Sequence, residues 1–301
     1  MRGEKDAFEG CEDWTGLYRK AFIPMLLGFG CTVPAIMASR ALESKRDRFK
    51  VMLVTPFMSC NARLTIYILF SEMFFGDNAM LMAYSMYLIG IVVAIVVSAV
   101  IHLLDRKKSV NYLMIELPEY KLPDSRTVAI YVWEKVKDYL TKAGTTIFLA
   151  SIVLWFVLNM GGTGFVTDVS QSFAAKFGHA LVPVLAPAGL GSWQTAVALI
   201  SGISAKEVVV SSFSVLYGIN NINSPAGMAQ LAGALSAQGF GPVNAYALMI
   251  FCLLYTPCVA AIGTIKKETG SLRWTMGMAV FQILLAWVSA VIVYQVGSRL
   301  F

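Results

Sequence analysis

The sequence predicts an all-α, polytopic helical membrane protein in which some of the helices are broken or re-entrant. Three observations carry that prediction. Apolar residues make up 57% of the 301 positions and charged residues 14%, with a mean hydropathy of +0.67, whereas soluble domains run nearer ~45–50% and ~25%. Apolar runs of the ~20 residues that a helix needs to cross a ~30 Å hydrocarbon layer recur along the chain. The 24 Lys and Arg residues behind the net charge of +6 gather in short stretches between those runs, which is a topology signal and not a nucleic-acid-binding stripe.

Taken in order, the apolar stretches fall at 21–39, 51–75, 79–104, 143–160, 179–218, 243–265 and 275–297. The links 40–50, 105–142 and 266–274 are basic and face the cytoplasm by the positive-inside rule; 76–78 and 219–242 carry no Lys or Arg, and 161–178 only Lys176. Alternation of sides then requires 179–218 to begin and end on the external face. Pro183, Pro187, Gly189, Gly191 and Gly202 interrupt it, so it reads as a re-entrant hairpin or two half-helices, which survive at membrane depth only when buried in protein or lining a wet cavity. The same count puts the N-terminus outside, against Arg2, Lys5, Arg19 and Lys20. A missing upstream span, or a first segment that is itself re-entrant, would resolve that conflict.

Four regions follow: a polar leader at 1–20 without signal-peptide features, a first membrane repeat at 21–104, a connector at 105–142, and a second repeat at 143–301. Pro118 and Pro123 make the connector an extended strap leading into an amphipathic helix around 127–140, with Tyr131, Trp133 and Tyr139 suited to the membrane interface. The Gly-, Ala-, Ser- and Asn-rich tract 220–241 reads as a flexible external loop.

Lys206 and Glu207 lie in the middle of the broken segment. A charge at mid-bilayer costs about 2.5–3.5 kcal/mol even on insertion scales, so such residues usually face a polar interior; the bland reading is a buried ion pair or a snorkelling lysine. Proline and cysteine recur together at Cys31 with Pro34, Pro56 with Cys60, and Pro257 with Cys258. A proline frees a helix carbonyl, and a nearby thiol can join that carbonyl in a position suited to a borderline transition metal. A lone cysteine more often packs as a small hydrophobe, the reading given to Cys252, while Cys11 sits in the leader. Met58, Ser204 and Glu43 are supporting candidates, and Arg40 and Arg63 read as fixing helix ends or pairing with Glu43 and Glu72. Five cysteines do not make a disulfide framework, and His102 and His179 stand at the ends of different spans. No phosphate-binding loop and no catalytic constellation is visible, so the chain reads as a transporter and not an enzyme.

The two halves echo each other: a glycine-led broken segment with charges (Gly28 to Glu43, then Gly202 to Glu207) precedes a proline-cysteine helix (56–60, then 257–258). Such doubling is common in transporters that bind substrate at the repeat interface. At these residues the chain resembles the membrane part of the bacterial ferrous-iron transport protein B family. The matching motifs are Gly-Phe-Gly-Cys-Thr-Val-Pro-Ala-Ile (28–36), Arg40 with Leu42-Glu43, Pro-Phe-Met-Ser-Cys-Asn-Ala-Arg-Leu (56–64), Glu-Leu-Pro-Glu-Tyr (116–120), Ser-Ala-Lys-Glu-Val-Val (204–209) and Leu-Tyr-Thr-Pro-Cys-Val-Ala (254–260), continuing to Lys267, Glu268, Gly270 and Trp274.

The resemblance implies two gate-type repeats around a central region, acting in Fe²⁺ uptake across the bacterial inner membrane. Cys31, Cys60 and Cys258 would be metal-pathway thiols, with Glu207 a further candidate. It implies no cofactor in this chain, Fe²⁺ as cargo, and GTP with Mg²⁺ on a GTPase domain. That domain is missing here, which marks the chain as one half of a split transporter or a fragment. Expected partners are the lipid bilayer, a cytoplasmic GTPase domain or subunit, small accessory iron-transport proteins and a second copy of the chain, with no nucleic acid. The competing readings are a gate-fold permease for another divalent metal or a nucleoside-like solute, and a non-transporting membrane anchor for a GTPase.

Overall fold

The structure, a computed structural model, describes residues 21–42, 44–104, 124–161, 164–166, 169–219 and 221–300. The expectations for the leader with Cys11, for Glu43 and for the 105–123 strap lie outside them. The described residues are all-α apart from one short antiparallel strand pair, Met160–Gly161 with Gly164–Phe165.

Short helices α1 (Phe22–Gly28) and α2 (Thr32–Ala38) pack side by side around the turn at 29–31. At seven residues each they are too short to cross a bilayer. The first apolar segment is thus broken into two short helices, not one continuous span. Helix α3 (Lys45–Val54), a 3-10 turn at Thr55–Phe57 and α4 (Asn61–Phe75) form a broken span. The chain reverses at Gly76, whose φ of 47° suits a residue without a Cβ, and α5 (Ala79–Leu104) runs back so that Tyr87 meets Tyr67.

Helix α6 (Ser125–Asn159) merges the amphipathic stretch and the apolar stretch after it into one continuous helix. No proline interrupts 124–182, and Gly144 alone costs a helix only ~1 kcal/mol. Asp124 caps it, accepting from the amide and hydroxyl of Thr127 at 3.1 and 2.9 Å, and these bonds hold its carboxyl below the usual carboxylate range.

The 179–218 segment resolves into pieces. Helix α7 (Phe173–Leu185) turns by 100° through residues 186–192 into α8 (Trp193–Ser201), and a second break at 202–207 leads to α9 (Val208–Leu216). Carbonyls around this turn are satisfied from outside the segment: Trp287 Nε1 donates to the Val184 carbonyl at 2.7 Å, and Asn244 Nδ2 to the Gly189 carbonyl at 2.7 Å.

The tract expected to be a flexible external loop contains helix α10 (Pro225–Ser236), a correction to the sequence reading. Ser224 caps it, Pro225 opens it, and Leu231 and Leu235, one turn apart, are fully buried. Its small residues suggested flexibility, whereas in a membrane bundle they permit close helix packing.

Helices α11 (Pro242–Leu254) and α12 (Val259–Thr269) form the second broken span, and α13 (Leu272–Leu300) follows. Three helical stretches among the described residues are long and apolar enough to cross a membrane, 45–104, 242–269 and 272–299, or four with the bent pair α7–α8. The most apolar window of 242–269 is 67% buried, against 22% and 28% for the other two, so this span is the centre of the bundle. Between α11 and α13, Ala245, Ala247, Ala286 and Ala290 are all at 0% exposure, a small-residue seam of the kind that drives helix association where lipid supplies no hydrophobic force.

Candidate functional site

Three helix starts are capped by a serine hydroxyl. Ser172, Ser192 and Ser224 each accept a hydrogen bond from the amide three residues on, at 3.1–3.3 Å. Three further helices start at a cysteine beside a break: Cys31 caps α2, Cys60 caps α4 and Cys258 caps α12, and none accepts a capping hydrogen bond through its side chain. An oxygen cap is worth about 1 kcal/mol over an apolar residue. That stabilisation is forgone at these three positions, as it is at Ser44 and Glu207, and all three thiols are half-buried.

The two halves assemble these caps in the same way. In the first, the hairpin α1–α2 sets its tip against the break of α3–α4: the amide of Asn61, just after Cys60, donates to the Gly30 carbonyl at 3.3 Å. In the second, the hairpin α8–α9 meets the break of α11–α12: the amide of Val259, just after Cys258, donates to the Ile203 carbonyl at 2.8 Å. Each hairpin contributes a glycine to that contact. A Cβ on Gly28 would lie 3.1 Å from Met58 Cβ, and one on Gly202 would lie 2.3 Å from the Tyr255 hydroxyl. The second helix of each hairpin also packs on the other half, α2 against α12 and α9 against α4. Basic residues open the first broken span at 45–50 and follow the second at 266–274, so the two units run in opposite senses relative to the basic links.

Each break is held by a buried cation. Arg63, 1% exposed, donates through one guanidinium nitrogen to the carbonyls of Pro56 and Met58 at 2.8 and 2.9 Å. Lys206, 3% exposed, donates to the Thr256 carbonyl at 2.6 Å and lies 3.0 Å from the Tyr255 ring centroid. The Lys206 charge reaches Arg63 and the sulfurs of Cys252, Cys258 and Cys60, so the two breaks and both cations share one buried centre. The Nε of Arg63 and the hydroxyl of Tyr255 are buried there without a protein partner.

The other expected residues fall less centrally. Glu207 is exposed at the N-cap of α9. Ser204 donates to the Ser201 carbonyl at 2.7 Å. The Met58 side chain is buried beside Gly28, while its carbonyl serves Arg63. Arg63 fixes the break carbonyls and does not turn to Glu72, and Cys252 is wholly buried in α11. Among the described residues no three His, Cys, Asp or Glu side chains converge as a metal cage. Sequence reasoning missed Tyr255, although its place directly before Thr-Pro-Cys marked it, and it missed Glu268 as the partner of Arg40.

A cavity of about 570 Å³ opens beside the start of α11, lined by His179, Ser192, Trp193, Gln238, Asn244 and Tyr294 among others. His179 stacks on Trp193 with ring centroids 5.6 Å apart.

Paired hairpins that plug paired broken spans define a helical membrane gate. The family described as "Gate: Nucleoside recognition" matches residues 13–74 and 140–272, and the chain belongs to it. Between those matches, residues 83–135 match "Ferrous iron transport protein B C terminus". The chain is 41% identical over 282 residues to the Fe(2+) transporter FeoB of Staphylococcus aureus (strain MSSA476), covering 94% of this chain and 41% of that protein. It is 38% identical to the Fe(2+) transporter FeoB of Methanocaldococcus jannaschii, over 95% of this chain and 42% of the relative. With a Porphyromonas gingivalis Fe(2+) transport protein A/Fe(2+) transporter FeoB fusion protein the identity is 36%, over 95% of this chain and 39% of the relative. The chain thus spans about two fifths of the length of the curated relatives it matches. No solved structure matches it.

Proposed function

We propose that this chain is the membrane permease portion of a ferrous-iron uptake transporter in the bacterial inner membrane. The observation that carries the reading is the set of three half-buried cysteines, each at the N-cap of a helix that starts at a break. The names of the relatives, Fe(2+) transporter FeoB, supply the cargo. Fe²⁺ accepts thiolate and imidazole ligands that Mg²⁺ and Ca²⁺ do not favour. A path of separate thiol and carbonyl stations exchanges the hydration shell stepwise and keeps each binding step weak enough for exit.

In this reading the chain performs no chemistry of its own and needs no resident cofactor. GTP and Mg²⁺ act on a cytoplasmic GTPase domain or subunit. A small accessory protein is a further partner, as the fused Fe(2+) transport protein A of the Porphyromonas relative suggests. Glu207, exposed at a helix break, would offer a carboxylate to the hydrated ion. The test is Fe²⁺ uptake into vesicles holding the chain, with and without a GTPase partner, for the wild type and for Cys31→Ser, Cys60→Ser and Cys258→Ser. Uptake that needs the partner and falls in the variants is the expected result. Uptake unchanged in all three would remove the thiol path, and no metal flux under any condition would leave a membrane anchor.

A further inference from the structure

The cytoplasmic end of the molecule is closed by contacts that join its two halves. Helices α2 and α12 lie side by side, and both start at a cysteine cap within the membrane and run toward the basic face. Just past α2, Arg40 grips Glu268 in the last turn of α12 with a two-pronged ion pair. Its Nε lies 2.9 and 2.8 Å from the two carboxylate oxygens, and a second guanidinium nitrogen lies 2.5 Å from Oε1. Between the caps and this pair, Val33 and Ile36 from α2 and Ala261 and Ile265 from α12 form one buried apolar cluster with Met52 and Met278. Cys31 and Cys258 pack against the upper side of that cluster. Glu268 follows Cys258 by ten positions, ~15 Å along a helix. The layers from membrane depth to the cytoplasmic face are therefore thiols, apolar plug and ion pair.

We propose that Arg40 and Glu268 are the gating residues of the cytoplasmic exit, a latch whose release parts α2 from α12 and connects the cysteine-capped breaks to the cytoplasm; the structure holds it shut. The chemistry suits a latch. The Arg40 side chain is 39% exposed and can return to water, whereas the Glu268 side chain is 7% exposed and becomes an unpaired buried carboxylate unless the helices separate and hydrate it. The bidentate fork gives the closed state a defined geometry that a lysine would not reproduce. What the exit releases rests on the iron reading above, but the existence of the gate does not.

The test uses a membrane-impermeant maleimide applied to inside-out and right-side-out vesicles, with labelling of Cys31 and Cys258 read peptide by peptide by mass spectrometry. In the wild type both thiols should label slowly from the cytoplasmic face. Arg40→Ala and Glu268→Gln should raise that rate about tenfold from the cytoplasmic face alone, as expected when a partner is removed from a buried charge or the charge itself is neutralised. Arg40→Lys should fall between, and the exchange Arg40→Glu with Glu268→Arg should restore the slow rate. Single variants that label like the wild type would overturn the proposal. So would equal rises from both faces, an exchange variant that labels as fast as the singles, or simultaneous labelling of Cys252, which is wholly buried in α11 and reports loss of the fold. No iron enters the readout, so a failed gate and a failed iron reading are told apart.

Discussion

The two broken spans do the same job with different wiring. In the first, the carbonyls left at the break are taken by Arg63, which stands on the same span three positions after its cysteine cap. In the second, the carbonyl before Pro257 is taken by Lys206, which arrives from the hairpin α8–α9. The first break is therefore clamped by its own span, while the second holds its shape only as long as the hairpin stays docked. Of the two units, the second is the one in which hairpin motion and break geometry are directly coupled.

The largest effect expected from this comparison is at Arg63. Arg63→Ala leaves two buried carbonyls unpaired and should cost about 2–6 kcal/mol in reversible unfolding in mild detergent, at ~1–3 kcal/mol per orphaned group. Lys206→Met orphans one carbonyl and should cost about 1–2 kcal/mol, with amide exchange rising in 203–209 and not in 56–62. Because each single variant relieves the same repulsion between the two cations, the double variant should lose more than the sum of the singles. A Lys206 variant more disruptive than the Arg63 variant would invert the comparison.

The hairpin glycines sharpen it. Gly202→Ala drives a Cβ to 2.3 Å from both the Tyr255 hydroxyl and Val209 Cγ2, whereas the nearest contact for Gly28→Ala is 3.1 Å from Met58 Cβ. The first should cost about 1–3 kcal/mol and the second under ~1, so equal losses would mean that the hairpins dock alike.

The smallest stability change belongs to the cysteines. A serine at 31, 60 or 258 supplies the hydroxyl that the cap lacks, so each variant should be neutral or gain up to ~1 kcal/mol while Fe²⁺ uptake falls. Variants that lose stability along with uptake would return the thiols to a packing role.

Much of this architecture was legible in the sequence. Prolines and glycines in 179–218 announced a break, and the proline-cysteine pairs located three helix starts. Two features were illegible for physical reasons. The composition of 220–241 is equally that of a loop and of a tightly packed membrane helix, and only the burial of Leu231 and Leu235 decides between them. The partnerships of Lys206 with Thr256 and Arg40 with Glu268 span 50 and 228 positions, and no local periodicity reports a contact at that range.

That last separation matters during biosynthesis. The hairpin α1–α2 leaves the ribosome early, yet Ala261, Ile265, Met278 and Glu268, which bury and latch it, come from α12 and α13. At about 5–20 residues per second, 228 positions correspond to roughly 10–45 s of translation. Through that interval a segment too short to span the bilayer has no finished slot to occupy. It must wait at the membrane surface or in the care of the insertion machinery until α12 and α13 arrive to close that end of the molecule.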